Sequence, residues 1–305
     1  MEDDSAHEVT AAMPAGAAGE ADDAAPEVAS LIAGDADDAA DEAAALIAGA
    51  DSDSAGANPY RKWTGSHWRL VELADLAADG AVVPAEPLRP MFEAEFDWLL
   101  GERHGRRIRL IEGRTRRCAS QEGNALYAAS TLGWAGDERT RELAVRLMTW
   151  QWPDGGWNCD ARPGVTRSSF HESITPALGL VAFGRATGAR EPVDAARRTA
   201  ELLLESRVIH SRRTDEVVHP SWAVPHYPAY WHYDVLQGLR LLAELDLLDD
   251  ARASDALDLL RRSRRPDGFA GRTWASSRQP PAIERGRGAA NRMLNRLAGE
   301  VLARA

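Results

Sequence analysis

Apolar residues recur at spacings of three and four in four separate segments of the chain, the periodicity of helices with one buried face. These segments are residues 91–100, 139–150, 193–204 and 253–260. Alignment of Trp98, Trp150, Leu204 and Leu260 gives steps of 52, 54 and 56 residues, and a near-constant interval of this size indicates a repeat array. The pattern therefore predicts one such helix in each of four repeats.

A second set of apolar segments with helical spacing alternates with the first. Its members are residues 67–76, 122–132, 171–183, 232–245 and 291–302. The segments closest to strands, residues 107–111 and 216–218, are short enough to be read as loops. The sequence thus predicts an all-α fold of helical hairpins, in which each repeat buries one face against its neighbours.

The clearest turn follows the predicted helix 139–150. Pro153 cannot continue a helix, and Asp154-Gly155-Gly156 permits the positive φ of a tight turn. We expect the large ring of Trp157 to pack back over this junction and to join the two helices that the turn connects.

The sequence allows two start positions for the next helix. Ser169 and Glu172 have the spacing of a capping box, which favours a start at Ser169. Pro176 would then lie inside the helix, where proline is unfavourable. Thr175 as the cap, with Pro176 in the first turn, is the alternative.

The turn resembles the QW motif of the terpenoid cyclase and prenyltransferase superfamily. Gln151-x-Pro-Asp-Gly-Gly-Trp157 fits the core of that motif, and residues 265–269, Arg-Pro-Asp-Gly-Phe, are a weaker second copy. The resemblance implies an α/α toroid of about five helical-hairpin repeats, with inner and outer helices alternating around a central cavity.

Charge divides the chain into two parts. Fifteen Asp and Glu and no Lys or Arg precede Arg61, so the overall net charge of −11 arises from this segment. Residues 1–58 are rich in Ala, Asp, Glu and Gly, a composition that predicts a disordered acidic tail. Residues 59–305 are then the toroid domain.

The acidic N-terminus does not have the basic region of a secretory signal, and no apolar run approaches the length of a membrane span. We therefore expect a cytoplasmic protein with no transmembrane segment and no nucleic-acid partner.

Residues 35–38 spell D-x-D-D, the acid motif of class II terpene cyclases. This copy lies in the tail, outside every repeat, so we interpret it as a product of composition.

Polar residues cluster at the starts of the second set of helices. In a toroid, equivalent positions of successive repeats converge on one mouth of the cavity. The residues expected to form this ring are His67, Cys118, His171, His232 and Asn291.

Cysteine and histidine are ligands that zinc prefers. Prenyltransferase β subunits, which the chain resembles, hold zinc with a carboxylate, a cysteine and a histidine. Residues 231–239 are similar to the context of that histidine and place His232 in its position. The helix-start D-x-C of those subunits is replaced here by Phe170-His171-Glu172-Ser173. We expect Cys159, His171 and His232 to bind zinc, with Cys118 as a fourth ligand; two buried structural thiols or a Cys118–Cys159 disulfide are the alternatives.

These patterns predict an enzyme acting on a small apolar substrate, such as a prenyl group. Its expected catalytic carboxylates are Asp160, Glu172 and Asp234. Its expected cavity residues are His67, Trp68, Glu122, Trp231, Tyr233 and Asn291. A non-catalytic toroid that binds a peptide or lipid, with a purely structural metal, is the alternative. Either function is compatible with a partner subunit.

Overall fold

The computed structural model describes residues 36–48, 58–61, 65–266, 268–269, 271 and 292–305 of the chain. Within these ranges the fold is mostly helical, which confirms the all-α prediction at this level. The helices are α1 Ala36–Ala48, α2 Ser66–Ala78, α3 Arg89–Leu100, α4 Glu102–Gly105, α5 Ser120–Thr131, α6 Glu138–Trp150, α7 Phe170–Thr187, α8 Arg190–Leu204, α9 Val235–Glu244, α10 Ser254–Arg262 and α11 Arg292–Ala303. The strands are β1 Arg109–Ile111, β2 Arg114–Arg116, β3 Arg264–Arg265 and β4 Gly268–Phe269.

Each of the nine predicted helices is present, and most of their ends lie within a few residues of the predicted ones. The start of α9 differs: it begins at Val235 instead of residue 232. Asp234 caps this helix by accepting a hydrogen bond from the backbone N–H of Gln237, so the preceding residues, including His232, lie in the loop before it.

The segment 107–111, interpreted from sequence as a loop, contains a strand. β1 pairs antiparallel with β2, with Arg109 opposite Arg116. The connecting residues Glu112 and Gly113 both have positive φ angles, as a two-residue hairpin turn requires. Of these two residues, only the glycine indicates a positive φ from sequence, and for that reason the strand was not predicted.

The helices α2, α5, α7, α9 and α11 line two cavities, and we call them the cavity-lining helices. Hydrogen bonds show that neighbouring members begin at the same end. The N–H of Ser120, at the start of α5, donates to Glu172 at the start of α7. The N–H of Tyr233, just before α9, donates to His171, also at the start of α7. The flanking helices α3, α6, α8 and α10 each pack on two successive members of this set.

Helices α5 and α7 approach closely where glycine replaces a side chain. A Cβ at Gly123 would lie 2.3 Å from the backbone nitrogen of Pro176, and one at Gly179 would lie 2.5 Å from the carbonyl oxygen of Gly123. α7 begins at Phe170, so Pro176 lies inside the helix and the alternative start at Thr175 is wrong. The close crossing fixes the start of α5 against the start of α7.

The turn after α6 has the role that the sequence predicts. Trp157 is buried, its indole N–H donates to the carbonyl of Leu147 in α6, and its backbone N–H donates to Ser173 in α7. The side-chain amide of Gln151 donates to the carbonyls of Gly155 and Ala195, which ties the turn to α8. The motif thus joins three helices.

A second repeated feature lies at the starts of two flanking helices. Arg139, at the start of α6, pairs with Asp137 and reaches Glu93 on α3. In the same way, Arg252 pairs with Asp250 and reaches Glu201 on α8. An aspartate two residues before an arginine therefore links successive flanking helices in two places.

Part of the segment predicted to be a disordered tail forms helix α1, which packs against α2. Ala43 is buried, and Arg69 of α2 donates to the carbonyl of Leu46. Glu42 forms an ion pair with Arg292 of α11. This stretch differs from the prediction because its apolar residues meet an apolar surface that composition alone cannot reveal. Residues 1–35 and 49–57 lie outside the described residues, and so does part of the D-x-D-D motif.

Candidate functional site

Both cysteines of the chain meet one buried carboxylate. The sulfurs of Cys118 and Cys159 and a carboxylate oxygen of Glu172 all lie within 4.8 Å of one another. Cys118 lies two residues before α5, Cys159 follows the Trp157 turn, and Glu172 is in the first turn of α7. The group is the one set of three or more potential metal ligands among the residues that the structure describes.

Glu172 does not complete the capping box that its spacing suggests. Ser169 precedes α7 without a side-chain capping bond. The two oxygens of Glu172 instead accept hydrogen bonds from the backbone N–H of Ser120, at 3.1 Å, and from the thiol of Cys159, at 3.4 Å. Burial raises the pKa of this carboxyl above its ordinary value. A glutamate at a helix start has therefore become part of a site between two helices.

The neighbours of Cys159 keep its thiol protonated. The hydrogen bond to Cys118, followed by burial and by the charge of Glu172, raises the pKa of Cys159 well above its ordinary value. A divalent cation would remove the cause of these shifts, because it stabilises thiolate and carboxylate together. Two sulfurs and one oxygen at these separations form a donor set that suits zinc.

Tyr60 links this group to the aromatic residues near the cavity. Its hydroxyl bonds to Gln121, and burial raises the pKa of the phenol, with the charges of Glu172 and Cys118 adding to the effect. Its ring packs against Trp98 and, 4.9 Å between centroids, against Trp68. Sequence reasoning missed Tyr60 because it lies before the first repeat helix.

The structure does not bring the predicted histidine ligands to the two cysteines. The imidazole of His171 accepts the N–H of Tyr233 at its Nδ1 atom, 2.9 Å away, and burial lowers its pKa. His232 stacks on Trp231, and the centroids of the His171 and His232 rings lie 6.0 Å apart. The predicted ring of equivalent positions thus separates into a thiol–carboxylate group and a histidine pair.

Two predicted catalytic carboxylates have structural partners. Asp160 lies at the surface and pairs with Arg162, which lowers its pKa to about 2. Asp234 is buried, where it accepts hydrogen bonds from the backbone N–H groups of His226 and Gln237. Neither arrangement favours proton transfer to a substrate.

The predicted cavity residues divide in a similar way. Trp68 lines the cavity, whereas Tyr233 is fully buried and donates its hydroxyl hydrogen to the carbonyl of Val208. Trp231 packs against Trp68, with 5.6 Å between ring centroids. Asn291 lies outside the described residues.

His67 and Glu122 each form a buried hydrogen bond with another side chain. Nδ1 of His67 lies 2.7 Å from Oε1 of Glu95. Glu122 pairs with Arg117 and His104, and although its burial acts in the opposite direction, these partners hold the pKa of Glu122 below its ordinary value. Neither residue lines either of the two cavities. The sequence signal for both pairs was charged residues within apolar helical segments.

The cavity-lining helices surround two adjoining spaces. The upper recess, near the helix starts, has a volume of about 40 Å³ and is closed on one side by residues 227–230. The lower cavity, near the helix ends, has a volume of about 690 Å³. Both are lined by Tyr127, Leu178 and Arg240. Thr175 lines the upper recess and donates to the carbonyl of Ser120, so the recess lies one helical turn from Glu172.

Comparison of the chain with protein-family profiles, with characterised proteins and with solved structures found no match. Within the described residues, no helix combines the length and the apolar character needed to cross a bilayer.

Proposed function

We propose that the chain is an α/α-toroid enzyme of the terpenoid cyclase and prenyltransferase type. The common direction of α5, α7 and α9 supports the toroid, and so do the two Asp–Arg links between flanking helices. Arg296 of α11 donates to the carbonyl of Ala78 at the end of α2. This contact between the last and first cavity-lining helices is the one that a closed ring needs.

The site of this enzyme holds one zinc ion through Cys118, Cys159 and Glu172. The observation that carries the proposal is the convergence of both cysteines of the chain with a buried carboxyl. Three protein ligands leave a fourth position open, as in catalytic zinc sites, where the ion activates a bound thiol or water. Prenyltransferase β subunits, which the sequence resembles, also combine thiolate and carboxylate ligands.

The surrounding residues prepare this site. The backbone N–H of Ser120, at the start of α5, donates a hydrogen bond to Glu172 and favours the charged form of this ligand. The Tyr60 hydroxyl, kept protonated by its raised pKa, can donate a hydrogen bond to a substrate atom. The rings of Tyr60, Trp68 and Trp98 exclude water on the side of the site toward α2.

The lower cavity has an apolar part, formed by Leu178, Val181 and Val301 among others, that suits the apolar portion of a prenyl-like substrate. Its rim of Arg and Glu side chains, such as Arg185 and Glu300, would lie beside a polar portion. A non-catalytic toroid with a structural metal would require a fourth protein ligand and a closed coordination sphere. The number of protein ligands therefore separates the two functions.

Metal content of purified variants tests the ligand set. Cys118→Ser, Cys159→Ser and Glu172→Gln should each lower zinc below one equivalent, because each removes one donor. His171→Gln and His232→Gln are the matched controls, since the structure keeps both imidazoles outside the cluster. Zinc that depends on the histidines, and not on Glu172, would overturn the proposed set in favour of the one expected from sequence.

A further inference from the structure

Two buried N–H donors belong to side chains that line the upper recess, and they have no hydrogen-bond partner among the described residues. They are the indole nitrogen of Trp68 on α2 and the side-chain amide nitrogen of Gln237 on α9. Both residues are about 97% buried, with relative exposures of 3%. Buried donors are nearly always satisfied in folded proteins, so each unpaired one requires an explanation.

The orientation of Gln237 is set by its neighbours. Its carbonyl oxygen Oε1 accepts a hydrogen bond from Arg240, and its backbone N–H is held by Asp234. The side-chain nitrogen is therefore the end of the amide left for the recess. On the opposite wall, the ring of Trp68 is held edge-on to Tyr230, with 5.2 Å between centroids. Two helices of the lining thus carry a donor that no acceptor among the described residues meets.

The charges around the recess disfavour an anion as the missing acceptor. Glu72 and Asp75 line the recess together with one guanidinium, that of Arg240. Asp75 is engaged by Arg240 at 3.3 Å and by the hydroxyl of Tyr127 at 2.9 Å. A further negative charge would meet two carboxylates and one cation. A neutral acceptor oxygen avoids this repulsion.

Most of the remaining lining is apolar, formed by Val71, Leu178 and Tyr227 among others. Its polar members Asn124 and Thr175 donate to the backbone carbonyls of Tyr230 and Ser120. Apolar walls with a few directed polar groups are typical of small-molecule sites. The recess adjoins the larger lower cavity, so a ligand longer than the recess can place its apolar body there.

We infer that the upper recess binds the oxygen of a neutral carbonyl compound, of the ketone, aldehyde or amide class, through Trp68 Nε1 and Gln237 Nε2. The inference deepens the proposed function, because it names the substrate class of the cavity. It does not require zinc, however, so measuring metal content in the same samples shows which of the two proposals fails.

A matched pair of probes tests the inference on the full chain. 2-Pentanone carries a carbonyl oxygen, and 2-methyl-1-pentene has nearly the same shape with a CH₂ group in its place. We expect the ketone to bind more tightly and to shift the indole N–H signal of Trp68 in ¹H–¹⁵N spectra. Equal binding of the two probes, no binding of either, or ketone binding without a shift of that signal would overturn the inference and leave water as the partner of both donors.

Variants identify the donors. Trp68→Phe and Gln237→Met keep most of the side-chain bulk, and each should weaken ketone binding roughly two- to tenfold, the factor that one neutral hydrogen bond contributes. Trp134→Phe is the control, because Trp134 also has a buried indole nitrogen without a partner but does not line the recess. If Trp134→Phe weakens binding as much as Trp68→Phe, the assignment is wrong. If a variant does not fold, the Trp68 signal of the wild-type protein still decides.

Discussion

The thiol of Cys159 donates a hydrogen bond to Oε1 of Glu172 across 3.4 Å. These residues are 13 apart in the chain and belong to a loop and a helix start. Their contact joins the loop after Trp157 to the start of α7. The other carboxylate oxygen of Glu172 accepts a hydrogen bond from the N–H of Ser120, which holds the carboxyl in place. The proposed zinc site rests on this arrangement.

The close crossing of α5 and α7 should be required for that arrangement. Gly123→Ala places a methyl group 2.3 Å from the backbone of Pro176, and relief of the overlap must move one helix start relative to the other. We expect a loss of about 1–3 kcal/mol in the free energy of unfolding, measured with urea, together with weaker zinc binding. Gly136→Ala, where a Cβ meets no atom within 4 Å, is the control. Equal stability of the two variants would show that the crossing tolerates a side chain.

Trp157 should be the main stabilising residue of the turn. Trp157→Ala removes a fully buried ring and the indole hydrogen bond to the carbonyl of Leu147 in α6, and should cost about 3–5 kcal/mol. Trp150→Ala, at the half-buried end of α6, should cost clearly less. Chemical denaturation of both variants checks this order, which a similar loss in each would contradict. Trp274, a comparison that the sequence also suggests, lies outside the described residues.

Helix α1 should contribute to stability despite its acidic composition. Ala43→Asp places a charge at a buried position against α2, so the helix should undock at a cost of roughly 2 kcal/mol, the value for burying one or two apolar side chains. Ala44→Asp lies at an exposed position of the same helix and should change stability by less than about 0.5 kcal/mol. Thermal unfolding of the two variants tests whether α1 contributes to stability. Indistinguishable melting temperatures would restore the expectation of a dispensable tail.

The Asp–Arg link before α10 should appear in the acid dependence of stability. Hydrogen bonds from the side chain and backbone of Arg252 lower the pKa of Asp250 to about 2, from 3.8. A lowered pKa stabilises the folded state above pH 3.8, and the contribution is lost as the pH falls toward 2.

Asp250→Asn keeps a capping side chain but removes the charge. The stability difference between wild type and this variant should therefore shrink as the pH falls from about 4 to 2. Asp249→Asn, whose carboxylate is not part of the link, should show no such convergence. A difference between wild type and Asp250→Asn that stays constant over this range would contradict the ion-pair interpretation.

Much of the fold could be predicted from the sequence because its causes are local. Apolar spacing gave the nine helices, and the Pro-Gly turn gave the position of Trp157. The packing of α1 could not be predicted, since it depends on a surface that distant segments supply. The hairpin of β1 and β2 was missed because Glu112, one of its two positive-φ turn residues, carries no sequence signal for that conformation. The start of α7 shows the same limit: local rules disfavour a helix through Pro176, yet the tertiary contact with Gly123 accommodates it.

The sequence predicted which residue types form the candidate site, but not which of those residues lie together. Equivalence of helix starts placed Cys118, His171 and His232 on one ring. The loop after Trp157, however, carries Cys159 toward α5, whereas the imidazole of His171 faces the chain before α9. A one-dimensional pattern cannot tell which neighbour a side chain at a helix start will face. Glu172 was selected as a catalytic carboxylate and is now proposed as a ligand, because only the structure shows its contact with both cysteines.

X-ray absorption at the zinc edge tests the central claim most directly. For the zinc-loaded full-length protein, the account predicts one equivalent of metal with two sulfur neighbours at about 2.3 Å and oxygen neighbours at about 2.0–2.2 Å. In Glu172→Gln the two sulfur neighbours should remain while metal affinity falls. A first shell containing imidazole nitrogen, a Cys118–Cys159 disulfide in place of metal, or no stoichiometric zinc in carefully purified protein would contradict the account.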